Sequence, residues 1–227
     1  MQRGNSHRLE DVELLPPIDD ASTLWLVGAN YRKHADEAGL SVPRTPVFFD
    51  KPASALVAHG KPIELPPISQ EMDYEGELAV VLGRRARRVT REEARHCVCG
   101  YTIVNDVTAR DVQVRHQQWD LGKSFDTFCP MGPWIVTVDE LDALDTRVRG
   151  WVNGELRQDA RTRDMIFDIP TLIETCSRGI TLYPGDVIAT GTPSGVGMGF
   201  SPPRWLAAGD VVRIEIDGIG AIENTFR

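Results

Sequence analysis

From Ala79 onward the apolar runs are short, rich in β-branched residues and cut by turn signals, and this spacing constrains the fold more than any other feature. "WVNGELRQ" (151–158) and "IEIDGIGAIENTF" (214–226) each place an Asn-Gly or Asp-Gly pair between alternating segments, the strongest local sign of a tight hairpin. In "DVVRIEID" (210–217), Val212, Ile214 and Ile216 face one way and Arg213, Glu215 and Asp217 the other, as in a strand solvated on one side. "LWLVGANY" (24–31) reads as a buried strand running into a loop. Helices are expected in "RKHADEAGL" (32–40), in "TREEARHCVCGY" (90–101) and in "DIPTLIETCSRG" (168–179). The second has Thr90 as N-cap, Glu93 at the capping-box position and Gly100 as its stop. Strand and helix do not alternate regularly, so a doubly wound parallel sheet is disfavoured. The expected fold is mainly β (α+β), a mixed β-sandwich or roll with a few short helices packed outside.

Residues 1–21, polar and ending near Pro16-Pro17, are expected to form an N-terminal arm or an early strand. Residues 22–227 are expected to form one domain, since a chain of 227 residues with 41% hydrophobic content buries one substantial core. A net charge of -8 argues against nucleic acid or an anionic membrane as the main partner. A small anionic substrate would need a local cation. No apolar stretch approaches the ~20 residues of a bilayer span, and the N-terminus lacks the apolar core of a signal peptide. Cys97, Cys99, Cys129 and Cys176 show no CxxC spacing and read as reduced thiols, mostly buried, of a cytoplasmic protein. The basic run "GRRARR" (83–88) reads as a solvated turn.

"DYEGELAVVLG" (73–83) sets Glu75 and Glu77 one residue apart at the start of an apolar run. On a strand they would share a face, about 6.6 Å apart. Asp106 ends a second strand-like run in "GYTIVNDVTARDVQ" (100–113). Were the three carboxylates to converge without a cation, at least one would keep its proton. A hard divalent ion removes the conflict, and all-oxygen ligation selects Mg²⁺, Mn²⁺ or Ca²⁺ over zinc. In isolation, such a Glu-x-Glu pair is more often a solvated strand face.

These two stretches, with "LGKSFDTFCPMGPW" (121–134) and "GDVIATGTPSGVG" (185–197), occur in an order and spacing that resemble the fumarylacetoacetate hydrolase family. The likeness is to its small catalytic-domain branch of acylpyruvate hydrolases and 2-hydroxyhepta-2,4-diene-1,7-dioate isomerases, and covers about residues 22–227. It implies a mixed β-sandwich roll, a homodimer, and Mg²⁺ or Mn²⁺ on Glu75, Glu77 and Asp106. His34 and Glu37, three apart and so on one face of a helix, read alone as a surface pair. The resemblance makes them the dyad that activates water. Arg110 and Gln113 would share a helical face, and by resemblance they contact substrate oxygens. Lys123 follows no helical pattern and reads as a loop lysine; the resemblance puts it beside the metal, stabilising an enolate. Thr192, in a glycine-rich loop that lacks the P-loop pattern, would by resemblance bind the substrate carboxylate, and Tyr31 is a further pocket candidate.

The activity so implied is divalent-metal-dependent hydrolysis of a C–C bond in a 2,4-dioxo acid of the acylpyruvate type, through a metal-bound enolate of pyruvate. The dyad of His34 and Glu37, able to make a water nucleophile, favours hydrolysis. The alternatives are an isomerase or decarboxylase of a 2-oxo or hydroxymuconate-type diacid of aromatic catabolism, or of oxaloacetate. The same stabilised enolate also serves keto–enol tautomerisation. A metal-binding scaffold without turnover is the reading of another class.

Overall fold

A computed structural model describes residues 8–18 and 23–227. Within the expected N-terminal arm, Leu9–Asp11 form a 3-10 turn, and residues 1–7 and 19–21 lie outside the described residues. The chain then runs β1 (Leu24–Gly28), α1 (Arg32–Glu37), β2 (Val47–Lys51), β3 (Leu56–Ala58), β4 (Met72–Asp73) and β5 (Gly76–Leu82). Next come α2 (Arg91–Ala94), β6 (Val98–Asn105), β7 (Thr108–Ala109), α3 (Arg110–Arg115), α4 (Asp120–Lys123) and β8 (Cys129–Thr137). The last elements are β9 (Arg147–Val152), β10 (Glu155–Arg161), α5 (Ile169–Ser177), β11 (Val187–Ala189), β12 (Val211–Ile216) and β13 (Gly220–Thr225).

Seven strands form one mixed sheet in the order β2-β1-β11-β5-β6-β8-β3, parallel only at β1·β11 and β3·β8. Four strands form an antiparallel sheet, β10-β9-β12-β13, and β4 and β7 make a two-stranded ribbon. The small sheet packs β9 and β12 against β5, with β13 against β8. β5 is buried along its whole length, and an apolar run covered on both sides is what such a position demands. Its Leu78, Val80 and Leu82 join Val148, Val212, Ile214 and Ile222 in the main core. Ala79 and Val81 point the other way, into a second cluster with Leu26, Phe49, Val104 and Met131.

The two hairpins form where the turn pairs lie. Asn153 and Gly154 both take positive φ, as a tight two-residue turn requires, and the second hairpin turns through Asp217 and Gly218. β12 alternates between half-buried and buried positions, with Val212, Ile214 and Ile216 inward. Thr90 and Glu93 form the expected capping box on α2. Gly100 is not the helix stop expected from the sequence. It lies within β6, where a Cβ would stand 2.4 Å from the Val136 carbonyl oxygen of β8, so close strand contact explains the glycine. The cysteines are free, with Cys97, Cys129 and Cys176 buried and Cys99 exposed. No helix among the described residues is long and apolar enough to cross a membrane.

Candidate active site

β5 and β6 are antiparallel with Glu77 opposite Val104 and Gly76 opposite Asn105, and this register carries Glu75 and Asp106 opposite each other just past the strand ends. The Asp106 N–H donates to the Glu75 carbonyl oxygen at 2.8 Å, extending the ladder by one rung. Glu75, Glu77 and Asp106 therefore share the face of Ala79, Val81 and Val104, and each presents a carboxylate oxygen within 4.8 Å of the other two. All three are buried.

Three cations reach this cluster. Lys123 Nζ donates to Asp106 Oδ2 (2.6 Å), Glu75 Oε2 (3.0 Å) and the Thr108 hydroxyl (2.8 Å), which uses all three of its N–H bonds. Arg110 donates from Nη2 to Glu75 Oε1 (2.6 Å), from Nε to Asp73 Oδ2 (2.9 Å) and from Nη1 to Gln113 Oε1 (3.2 Å), leaving two N–H bonds unspent. Lys51, fully enclosed at the end of β2, donates to the carbonyl oxygens of Val107, Lys123 and Phe128. Its ammonium also forms an ion pair with Asp106 Oδ1 at 2.7 Å, but with its N–H bonds committed to carbonyls, that buried oxygen has no hydrogen-bond donor among the described residues. Burial raises the pKa of Glu75, yet Lys123 and Arg110 outweigh it and hold the carboxyl well below the ordinary range. Glu77 goes the opposite way: burial, then Asp106 and Glu75, push it well above that range. The field of Lys123 and then the Gly191 N–H, donating to Glu77 Oε2 at 2.7 Å, counter part of the rise.

The residues present fit a hard divalent ion. Three oxygen donors converge, one buried Asp106 oxygen lacks a donor, and Glu77 has no cation of its own among the described residues. Glu75, Glu77 and Asp106 would hold the ion.

Above the cluster lies a cavity of about 160 Å³ lined by His34, Glu75, Arg110, Gln113, Lys123 and Thr192, with Phe49, Trp119, Leu40 and Met198 among its apolar walls. A larger cavity of about 500 Å³ lies between α2, α5 and residues 138–144, but its acidic residues Asp139, Glu140 and Asp142 are solvent-exposed. Converging buried charge, and not volume, singles out the smaller one. α1 brings His34 to it. His34 Nδ1 is 2.9 Å from Glu37 Oε1, and the Glu37 carboxylate accepts the Gly195 N–H (2.9 and 3.1 Å), which fastens α1 to the glycine-rich loop. With Nδ1 engaged, Nε2 is the ring nitrogen left to act.

Of the ten residues singled out from sequence, His34, Glu75, Arg110, Gln113, Lys123 and Thr192 line this cavity; Glu77 and Asp106 lie in the carboxylate cluster, and Glu37 lies behind His34. Tyr31 is not in that lining: buried at the start of α1 and within electrostatic reach of Glu77, it lines a cleft with Arg32, Lys33 and Asp159. Thr192 donates its hydroxyl to the Gly76 carbonyl oxygen (3.1 Å) and accepts from Gln158 Nε2 (2.8 Å), so its only hydroxyl proton is in use. Lys123 ends the short helix α4, not a loop as the sequence suggested.

Three further residues shape the site. Asp73 accepts from Arg110 and from the N–H groups of Gly197 (2.6 Å) and Met198 (3.1 Å), Lys51 gathers three carbonyls, and Gln158 holds Gly76 and Thr192. Asp73 lies two residues before Glu75, a period-two signal that could have found it. Nothing in the sequence near Lys51 or Gln158 marks either.

The comparisons agree with this architecture. The chain is 48% identical over 225 residues to oxaloacetate tautomerase YisK of Bacillus subtilis, covering 96% of this chain and 74% of that one. Two solved structures superpose closely. One is 5-carboxymethyl-2-hydroxymuconate delta-isomerase from Mycobacterium smegmatis, with a TM-score of 0.88 and 46% identity over 99% of this chain and 85% of that one. The other is 2-hydroxyhepta-2,4-diene-1,7-dioate isomerase from Mycobacterium marinum, with a TM-score of 0.87 and 44% identity over 98% and 81%. These three carry tautomerase and isomerase names, which favour the isomerase alternative over the expected C–C hydrolysis. The family model "Fumarylacetoacetate (FAA) hydrolase C-terminal" matches residues 23–227, and the chain belongs to the fumarylacetoacetate hydrolase family.

Proposed function

We propose that this chain is a divalent-metal-dependent tautomerase of a short 2-oxo diacid, with oxaloacetate as the first substrate to test. One observation carries the reading: His34 lines the same small cavity as Glu75, Arg110 and Lys123, so an acid–base group faces a site built for an anionic oxo acid. The names of the relatives support it. At about 160 Å³ the cavity is on the scale of one benzene-sized molecule.

A divalent ion on Glu75, Glu77 and Asp106 would supply Lewis-acid polarisation of the substrate's 2-oxo group. Arg110, through its two unspent N–H bonds, and Gln113, through its amide nitrogen, orient a carboxylate. His34 Nε2 takes a proton from C3 of the keto form, and negative charge develops on the 2-oxygen. Lys123 stabilises that charge by its field, since its N–H bonds are committed. Return of the proton to the 2-oxygen completes the enol, with no bond to carbon broken except C–H. Glu37 keeps the imidazole in register throughout.

The test follows the ultraviolet absorbance of enol oxaloacetate with Mg²⁺, with Mn²⁺ and with chelator, beside cleavage of acetylpyruvate. The reading expects metal-dependent enol–keto interconversion that falls about 10²-fold or more in His34→Ala. Acetylpyruvate cleavage with oxaloacetate interconverting only at its spontaneous rate would overturn it and restore the hydrolase. Metal binding with no turnover of either substrate would favour the silent scaffold.

A further inference from the structure

The cavity has two unlike ends. Its charged end is the Lys123 ammonium with Glu75 and Arg110, and its apolar wall includes the rings of Phe49 and Trp119 beside Leu40 and Met198. Lys123 Nζ lies 5.1 Å from the centre of the Phe49 ring, and Phe49 meets Trp119 edge to face at 5.7 Å between centroids. Phe49 thus touches both the charged end and the Trp119 indole. The indole is seated on bare backbone at Gly28, where a Cβ would stand 2.2 Å from the nearest ring carbon. A glycine at the end of β1 is thus required for the ring to lie where it does. Trp119 also stands in the connection between α3, which carries Arg110 and Gln113, and α4, which carries Lys123. The segment that presents the polar contacts also carries the wall.

We propose that Trp119 sets the length of the acid this site accepts. Its indole, held between Gly28 and Phe49, stands in the apolar wall, so a tail extended past Phe49 meets the ring. The inference rests on the 2-oxo-acid reading above, and deepens it by naming short-chain acids as the class and the residue that enforces the limit. An aromatic wall of this kind discriminates by steric exclusion. Removing the indole is expected to relax that exclusion by about tenfold or more, the scale at which apolar pockets separate chain lengths.

The experiment is calorimetric titration of the Mg²⁺-loaded protein with straight-chain 2-oxo acids of four to eight carbons, using wild type, Trp119→Phe and Trp119→Ala. Wild type is expected to bind the four-carbon acid and to lose affinity steeply with added carbons. Trp119→Ala is expected to improve the eight-carbon to four-carbon affinity ratio about tenfold or more, with Trp119→Phe between. A ratio is the readout because a general loosening of the fold would weaken all chain lengths together. The inference is overturned if wild type binds all lengths alike, or if its length profile persists unchanged in Trp119→Ala. Because binding is read without turnover, a protein that shows the length limit but leaves oxaloacetate at its spontaneous rate would retain this inference and lose the tautomerase. Failure to bind any 2-oxo acid would remove both.

Discussion

Asp73, Glu75, Glu77 and Asp106 are buried together with Lys51, Arg110 and Lys123, so the carboxylates exceed the cations by one if all are ionised. The conflict falls on Glu77. Burial first, then Asp106 and Glu75, raise its pKa well above the usual glutamate value near 4.5. A carboxyl that binds its proton more tightly in the folded chain contributes stability that is full below that usual value and is lost as pH rises through the raised one. In chelator, the wild type is therefore expected to lose stability on going from pH 5 to pH 8. Glu77→Gln, which keeps an oxygen for the Gly191 N–H, is expected to lose less and to melt higher than wild type at pH 8. Mg²⁺ should then raise the melting temperature of wild type but not of the variant. Thermal melts at both pH values, with and without the ion, check this; a variant less stable than wild type at pH 8 in chelator would contradict it.

Helix α2 was legible because everything that starts it is local. The Glu93 N–H donates to the Thr90 hydroxyl oxygen (3.3 Å), and the Thr90 N–H donates to the Glu93 carboxylate (2.8 Å). Thr90→Ala removes the first of these, and the expected cost is about 1 kcal/mol, read by urea denaturation. The continuation was misread because Gly100 answers to a strand 36 residues later in the chain, a contact that no local pattern encodes. α4 was missed for a related reason. Its four residues, Asp120–Lys123, include a glycine and are too few to show a period, so its helical form depends on packing against α3. α1, although short, was legible through the helix formers and the terminal glycine of "RKHADEAGL". Its attachment to the Gly195 N–H was not, since that partner is 158 residues away.

Across the whole molecule, the strand pattern announced two kinds of sheet face, but not which strands adjoin. The metal-binding geometry depends on the β5–β6 register, and a slip of one residue would turn Glu75 and Glu77 away from Asp106. Part of that register is held from the other sheet. On β10, a register shift between Leu156 and Gln158 accompanies the turn of the Gln158 side chain into the interior. There its Oε1 accepts the Gly76 N–H (3.0 Å), while Nε2 donates to the Thr192 hydroxyl (2.8 Å) and the Pro193 carbonyl (2.9 Å). Gly76 is the residue between the two glutamates, so one amide from the small sheet ties down the strand that presents both. Gln158→Leu keeps most of the volume and leaves the Gly76 N–H and the Pro193 carbonyl buried without partners. An unmet buried group costs about 1–3 kcal/mol, so the loss of stability should reach about 2 kcal/mol or more by urea denaturation. Because the displaced strand carries Glu75 and Glu77, the Mg²⁺-induced rise in melting temperature should shrink as well. A Gln158→Leu protein as stable as wild type, with its Mg²⁺ response intact, would mean that the register of the carboxylates is fixed within the large sheet alone.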